Sequence, residues 1–391
     1  MATIPLPSRR SRLAVATIFF VNGAVLASWV AHIPGVKERH GIGDGSLGFV
    51  LLFMALGAVL ALPLGGWLVD RFGSRLITSL AALVFCLALP WPLLSRDVTC
   101  LVTALVLLGA CNAVLDVSMN AQAVAVERRY QRSIMSSFHA LWSLGGVMGA
   151  ALSGLAMSLD ALPERYLVAT AIVAAAFVSG TLGWLVPSEP RRDGVAHIVG
   201  PPSRRLLGLG LVAFLGLLAE GAMGDWSAVY LHDALGQSGA AAATGFAAFS
   251  LAMAVGRLGG DRLADGLGPR ALLRASGAVA AAGLGVALIA GEPRVALAGS
   301  AAVGLGIANI IPVTFRSAGR VSDVPAGTAL AVVATTGYLG YLAGPPLIGL
   351  VAETTSLPLG LGIVSACCAL VAVRAGSVPR DPSSGRSGGR R

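Results

Sequence analysis

Charge is scarce in this 391-residue chain: Asp, Glu, Lys and Arg together make up 12% of it, about half the usual quarter of a globular protein. So few charges cannot cover the surfaces of the roughly two or three water-soluble domains that this length would otherwise allow. Lysine is almost missing, Lys37 being the only one among 28 basic residues. The arginines fall in short clusters between apolar runs, with no aromatic-interleaved basic stripe of the kind that follows a phosphate backbone. The net charge of +9 therefore does not point to nucleic acid. Cys86, Cys100, Cys111, Cys367 and Cys368 all lie in apolar stretches, with no CxxC and no paired histidines, so they read as packing residues rather than disulfides or metal ligands. No GxxxxGKS or GxxxxGKT occurs, which excludes direct use of ATP by this chain through a P-loop. No zinc-ligand set or appended soluble domain favours an enzyme or a receptor, and no cofactor is expected.

Apolar residue types fill 55% of the sequence, there are 51 glycines, and mean hydropathy is +0.79. A bilayer span needs about 20 mostly apolar residues. Twelve such runs occur, at about 13–34, 46–69, 76–94, 98–126, 136–158, 166–186, 206–232, 239–259, 271–290, 295–315, 327–351 and 357–374. The first follows Arg9, Arg10 and Arg12 as a signal peptide would, but it is too long for a signal core, and it is expected to be retained as a helix.

Lys and Arg counted on alternate sides of these runs divide 23 to 5, the minority side holding Lys37, Arg39, Arg96, Arg165 and Arg294. The positive-inside rule then puts both termini in the cytoplasm. The Pro- and Arg-rich stretch at 187–205 reads as a linker dividing the runs six and six. The expected organisation is a bundle at 1–186, a cytoplasmic linker at 187–205, a second bundle at 206–378 and a basic tail at 379–391.

The two halves repeat at one offset, 195. Gly65, Asp70, Gly73 and Arg75 fall on Gly260, Asp265, Gly268 and Arg270; Gly109 falls on Gly304; Gly145, Gly149 and Gly154 fall on Gly340, Gly344 and Gly349. Asn22 and Trp29 are echoed by Glu220 and Trp226 at offsets of 198 and 197. Six spans separate the copies, so both halves share one topology, the arrangement in which halves rock around a central site.

The stretch GGWLVDRFGSR, Gly65 to Arg75, resembles the signature of the major facilitator superfamily between its second and third helices; the second copy, GDRLADGLGPR, carries Gly266 where the first has Arg71. Asp116 to Glu127, Ser137 to Gly145 and Ala219 to Trp226 also resemble a branch of bacterial inner-membrane permeases distantly similar to proton-coupled fucose-type sugar permeases. The resemblance implies an all-α integral membrane protein of twelve transmembrane helices in two pseudo-symmetric six-helix bundles. It also implies Gly65, Asp70, Arg71, Gly73, Arg75, Asp265, Gly268 and Arg270 as a gating motif. Its partners would be a small solute, protons and the lipid bilayer, with the chain acting as a monomer in the bacterial inner membrane. On the residues alone, Asp70 can cap a helix or pair with Arg71 or Arg75, and the stretch is either a conformational latch or an ordinary basic turn.

Ionisable groups at membrane depth are functional candidates because inserting them is costly. Asn112, Asp116, Asn120 and Glu127 fall at about 0, 40, 80 and 60 degrees on a helical wheel, one polar stripe in span four. Glu220 and Asp225 in span seven lie about 140 degrees apart. Asp116, Glu220, Asp225 and Glu127 are the candidates for proton coupling, with an interfacial ion pair to Arg128 and Arg129 as the other reading of Glu127. Asn22, Trp29, Asn112, Asn120, His139, Trp142, Trp226 and Asn309 are candidates for solute binding, with interhelical hydrogen bonding or aromatic packing as the alternative. The fucose-type permeases carry an acid in their first helix, where span one here offers Asn22 and His32. Proton-coupled uptake is the expected activity. Proton-driven efflux of a drug or secondary metabolite is the alternative, weakened by the absence of proline from Leu144 to Gly154 in span five.

Overall fold

The structure is a computed structural model that describes residues 9–130, 134–187, 203–321 and 326–377, apart from the side chains of Arg204, Asp261, Asp265, Ala326, Gly327, Thr328 and Ala331. Most of the linker expected at 187–205 and the whole tail expected at 379–391 fall outside the described residues. Among the described residues all regular structure is helical. Spans one and two are α1 (Arg9–His40) and α2 (Asp44–Phe72); span three is α3 (Ser74–Ala88) with the short α4 (Trp91–Leu94). Spans four to six are α5 (Val98–Tyr130), α6 (Met135–Ser158) and α7 (Pro163–Ser179). Span seven is α8 (Arg204–Val229), ending in a π turn at Tyr230–Ala234. Then come α9 (Gly239–Leu267), α10 (Pro269–Ala290), span ten as α11 (Pro293–Ile307) and α12 (Ile310–Ala318), α13 (Ala326–Thr354) and α14 (Leu357–Arg374).

Eleven of these segments are long and apolar enough to cross a bilayer, and the 29-residue α13 is the twelfth. Their outer faces are apolar: Ile289 is 89% exposed and Val373 74%. Water would penalise such a surface, and lipid does not. The breaks within spans three and ten were not anticipated. Pro90 and Pro92 interrupt the first and Pro312 the second; each lacks the N–H an unbroken helix needs, a lack tolerated in a first turn.

The repeat at offset 195 has a packing cause. A methyl group on Gly109 would strike the Met54 carbonyl across the α2–α5 contact, and one on Gly304 would strike the Phe249 carbonyl across the α9–α11 contact. Gly145 and Gly340 bear in the same way on the Phe20 and Phe214 carbonyls, joining α6 to α1 and α13 to α8. Both members of each contact repeat at 194–195, so the glycines mark where backbones approach too closely for any Cβ. The same holds between the halves, where Gly154 meets the Ala240 carbonyl and Gly349 the Asp44 carbonyl. The α6–α9 and α2–α13 contacts are thus mates under the pseudo-twofold, and they carry most of the packing of spans one to six on spans seven to twelve.

Candidate functional site

The alternation of helices puts Arg9, Asp70, Gly268 and Arg374 at one end of the bundle, the Asp70 end, and Lys37, Asp44, Asp233 and Glu353 at the other, the Lys37 end. At the Lys37 end the halves are clasped. Lys37 Nζ donates to Asp44 Oδ1 at 2.5 Å and to Asp233 Oδ2 of the π turn after α8. The Gly45 amide donates to Glu353 Oε2 at 2.9 Å. A Cβ on Gly48 would lie 2.5 Å from the Pro345 carbonyl, so α2 and α13 touch backbone to backbone just beneath. Between described residues, every direct hydrogen bond or ion pair joining spans one to six with spans seven to twelve lies at this end or at mid-depth.

At mid-depth both halves contribute polar side chains. Trp142 Nε1 on α6 donates to Asn22 Oδ1 on α1 at 2.7 Å, and Asn22 Nδ2 donates to Asn112 Oδ1 on α5 at 2.8 Å. Arg257 on α9 faces this chain. Its guanidinium lies 5.5 Å from the centre of the Trp142 ring, donates to Ser143 Oγ at 2.9 Å, and reaches Glu220 Oε1 on α8 at 3.2 Å. One turn along α5 toward the Asp70 end, Asn120 Nδ2 donates to Asp116 Oδ1 at 3.0 Å, and the Tyr338 hydroxyl of α13 sits beside the same carboxyl. Tyr341 lies close to Glu220 and Arg257, and His139 close to Arg257. Asp116, His139, Trp142, Glu220, Arg257, Tyr338 and Tyr341 are all partly exposed, although they sit deep among the helices. They line a space closed toward the Lys37 end.

The structure therefore brings together Asn22, Asn112, Asp116, Asn120, His139, Trp142 and Glu220. It places other candidates elsewhere. Trp29 and Trp226 are 2% and 0% exposed with unpartnered indole N–H groups, packed in the apolar core. Asn309 donates to the Gly256 carbonyl at 3.1 Å and fills the space over Gly260, sealing α12 on α9. Glu127 accepts from the Ile134 and Met135 amides, at 2.8 Å each, so it caps the start of α6 rather than pairing with Arg128 or Arg129. Asp225 is partly exposed and makes no hydrogen bond or ion pair.

In the expected gating motif, Gly73 and Gly268 have φ of +82° and +77° and close α2 and α9 by donating to the Val69 and Ala264 carbonyls. Only glycine takes that conformation without strain, which explains both glycines physically. Gly65 packs on Val114 as Gly260 packs on Asn309. Asp70 and Arg71 are exposed, and Asp70 forms no ion pair with Arg71 or Arg75; Arg75 reaches the Gly183 carbonyl at 3.4 Å. Arg270 lies in the first turn of α10, and the Asp265 side chain is not among those described.

Arg257, Ser143, Tyr338 and Tyr341 were not singled out from the sequence. Arg257 was counted with the basic residues flanking span eight, and that count is corrected here: its charge is at mid-depth, paired with Glu220. The signal was its position inside the apolar run from Ala247 to Leu258.

Such a fold, with two like halves meeting at a polar centre, is that of a membrane carrier. The Major Facilitator Superfamily model matches residues 13–219 and 206–391, and the chain belongs to that superfamily. It is 36% identical to an uncharacterized MFS-type transporter of Yersinia pestis over 96% of this chain and 97% of that one. It is 35% identical to membrane protein MosC of Rhizobium meliloti over 91% of this chain and 89% of that one. A variant of the nucleoside transporter NupG superposes with a TM-score of 0.77 at 14% identity, covering 94% of this chain and 99% of that one. A bacterial homologue of the human lysosomal transporter Spinster, in an inward-facing and occupied conformation, gives 0.74 at 14%, covering 95% and 96%. The chain is a multi-pass membrane transporter of this superfamily.

Proposed function

We propose that the protein takes up a small polar organic solute, sugar-like in its hydroxyl groups, together with protons across the bacterial inner membrane. In this reading it works as a monomer by alternating access, with residues 1–186 and 206–378 rocking about the mid-depth cluster. The observation that carries the reading is that cluster: Asn22, Asn112 and Trp142 from one half face Arg257 and Glu220 from the other, behind a clasp at the Lys37 end. Amide and indole groups suit a hydroxylated solute, and carboxyls at membrane depth supply a place for a proton. The 23 to 5 division of basic residues, one fewer on the larger side without Arg257, favours the Asp70 end in the cytoplasm. The clasped state then opens inward.

The test is made in proteoliposomes with an imposed pH gradient and a panel of labelled hexoses, polyols, sugar acids and nucleosides. The intact protein concentrates at least one of them. Glu220→Gln keeps size and hydrogen-bonding capacity and removes only titration, so it equilibrates that solute without accumulating it. If Asp116→Asn and Glu220→Gln both still drive uphill transport with unchanged pH dependence, coupling passes to Asp225 or Glu127, or the reading gives way to facilitated diffusion.

A further inference from the structure

Arg257 is the one arginine among the described residues of the mid-depth cluster, and its environment is unusual for an arginine that only holds helices together. Its side chain is 14% exposed and that of Glu220 13%, so both meet the central space. Trp142 supports the flat face of the guanidinium and Ser143 fixes one amino group, both from α6 in the opposite half. Glu220 touches the other amino group through a single oxygen at 3.2 Å. Charge-assisted pairs usually run at about 2.7–2.9 Å and are frequently bidentate. The guanidinium is thus firmly oriented by one half, loosely held by the other, and has donors to spare.

We propose that Arg257 is the specificity-determining residue for an anionic solute, a small hydroxylated carboxylic acid, whose carboxylate replaces Glu220 on the guanidinium while Glu220 takes up a proton. This rests on the reading of the protein as a proton-coupled carrier. A neutral hydroxyl cannot displace a carboxylate from a guanidinium, whereas a second carboxylate can, given bidentate geometry. With Glu220 still ionised, one guanidinium would face two carboxylates at low dielectric, and the repulsion would expel the solute. The anion and the proton therefore enter together, one of each, and the loaded centre carries the same net charge as the empty one. Release of both on the far side lets Glu220 return to Arg257, the arrangement observed here. The other titratable groups facing this pair are Asp116 on α5, His139 on α6, and Tyr338 and Tyr341 on α13. Asp116 is occupied by Asn120 and Tyr338, both neutral donors, and so does not compete for Arg257.

The experiment measures counterflow in proteoliposomes with three probes of one ring, glucuronate, glucose and glucosamine, and with the open-chain pair gluconate and sorbitol. At least one acid is expected to be preferred over its neutral parent by about tenfold or more. Its uptake follows the pH gradient and is indifferent to membrane potential. Arg257→Gln removes the preference, and Arg257→Lys, which keeps the charge and loses the fork, retains part of it. Because Arg257→Gln leaves Glu220 without a counter-charge and can misfold, the charge-balanced double variant Arg257→Gln/Glu220→Gln is measured beside it. It folds, shows no acid preference and has lost the response to the pH gradient. Carriage of glucose, sorbitol or glucosamine as well as the acids, carriage of no acid, or an acid preference surviving in the double variant overturns the proposal. Exchange of neutral probes alone overturns only the anion assignment, whereas exchange of none of the wider solute panel removes the carrier reading itself.

Discussion

The ammonium of Lys37, at the end of span one, is held by the carboxylate of Asp233, at the end of span seven, 196 positions further along a chain whose halves repeat at 195. Corresponding ends of the two halves thus carry opposite charges and meet across the pseudo-twofold axis. Asp44 holds the same ammonium from within the first half, so Lys37 reaches the clasp already oriented.

Asp233→Asn should therefore weaken the closed Lys37 end without unfolding either half. A partly exposed ion pair contributes about 1 kcal/mol, enough to move a two-state equilibrium roughly fivefold. Leu47 is 1% exposed in the closed arrangement, beside the α2–α13 contact. A cysteine at Leu47 in a chain cleared of its five native cysteines reports the change: impermeant maleimide should label it several-fold faster when Asp233→Asn is added. Equal rates would mean that the α2–α13 packing alone keeps the end shut.

The repeated glycines give a prediction about assembly rather than transport. Gly109→Ala and Gly304→Ala each drive a methyl group into a carbonyl of the neighbouring helix, and backbone cannot step aside as a side chain can. Overpacking of this kind costs about 1–3 kcal/mol. Each variant should lower the thermal midpoint in detergent and the yield of folded protein, whereas Gly66→Ala, with nothing within 4 Å, should leave both unchanged. Gly109→Ala at full stability would separate the repeat from helix packing.

The twelve runs and the repeat were legible because hydropathy and glycine spacing are local and periodic, and the lipid-facing surface leaves little else to decide. Asp116, Glu220, Asn22 and Trp142 were legible because polar groups stand out in apolar helices. What was not legible depended on which way a side chain turned. Trp29 and Trp226 share the composition of a binding site and are packing residues. Asn309 lies in the polar register and is spent on the α9 backbone. Arg257 was hidden by its neighbours: two residues from the end of the apolar run at 239–259 it looks like a flanking charge, and only the packing of α9 against α6 shows it opposite Trp142.

The orientation implied by the basic residues is checked by single cysteines at Arg96 and Gly266, both exposed and at opposite ends of the bundle. Gly266 has no neighbour within 4 Å, so a side chain fits there. On a background without native cysteines, an impermeant reagent applied to intact cells should modify the Arg96 position and spare the Gly266 position until the membrane is opened. The reverse pattern would invert the carrier, so that the clasp at Lys37 would face the cytoplasm.

Asp70 is exposed, forms no ion pair, and lies in the last turn of α2, at the end where no direct hydrogen bond or ion pair joins the halves among the described residues. Removing its charge should therefore cost this state almost nothing, within about 0.5 kcal/mol for a surface substitution. If the motif acts as a latch, its contacts form in the alternative state, when the Asp70 end closes and the α2–α3 turn meets the opposite half. A group that contributes in one state only shifts the equilibrium between states and leaves the stability of the other untouched. Asp70→Asn should accordingly keep the thermal midpoint and solute affinity within a fewfold of the parent, and slow net transport by an order of magnitude or more. The Leu47 cysteine gives the second readout: with the alternative state disfavoured, its labelling should slow rather than quicken, opposite in sign to the effect of Asp233→Asn. Full transport with unchanged labelling would make the Gly65 to Arg75 segment a topological turn whose glycines serve packing alone.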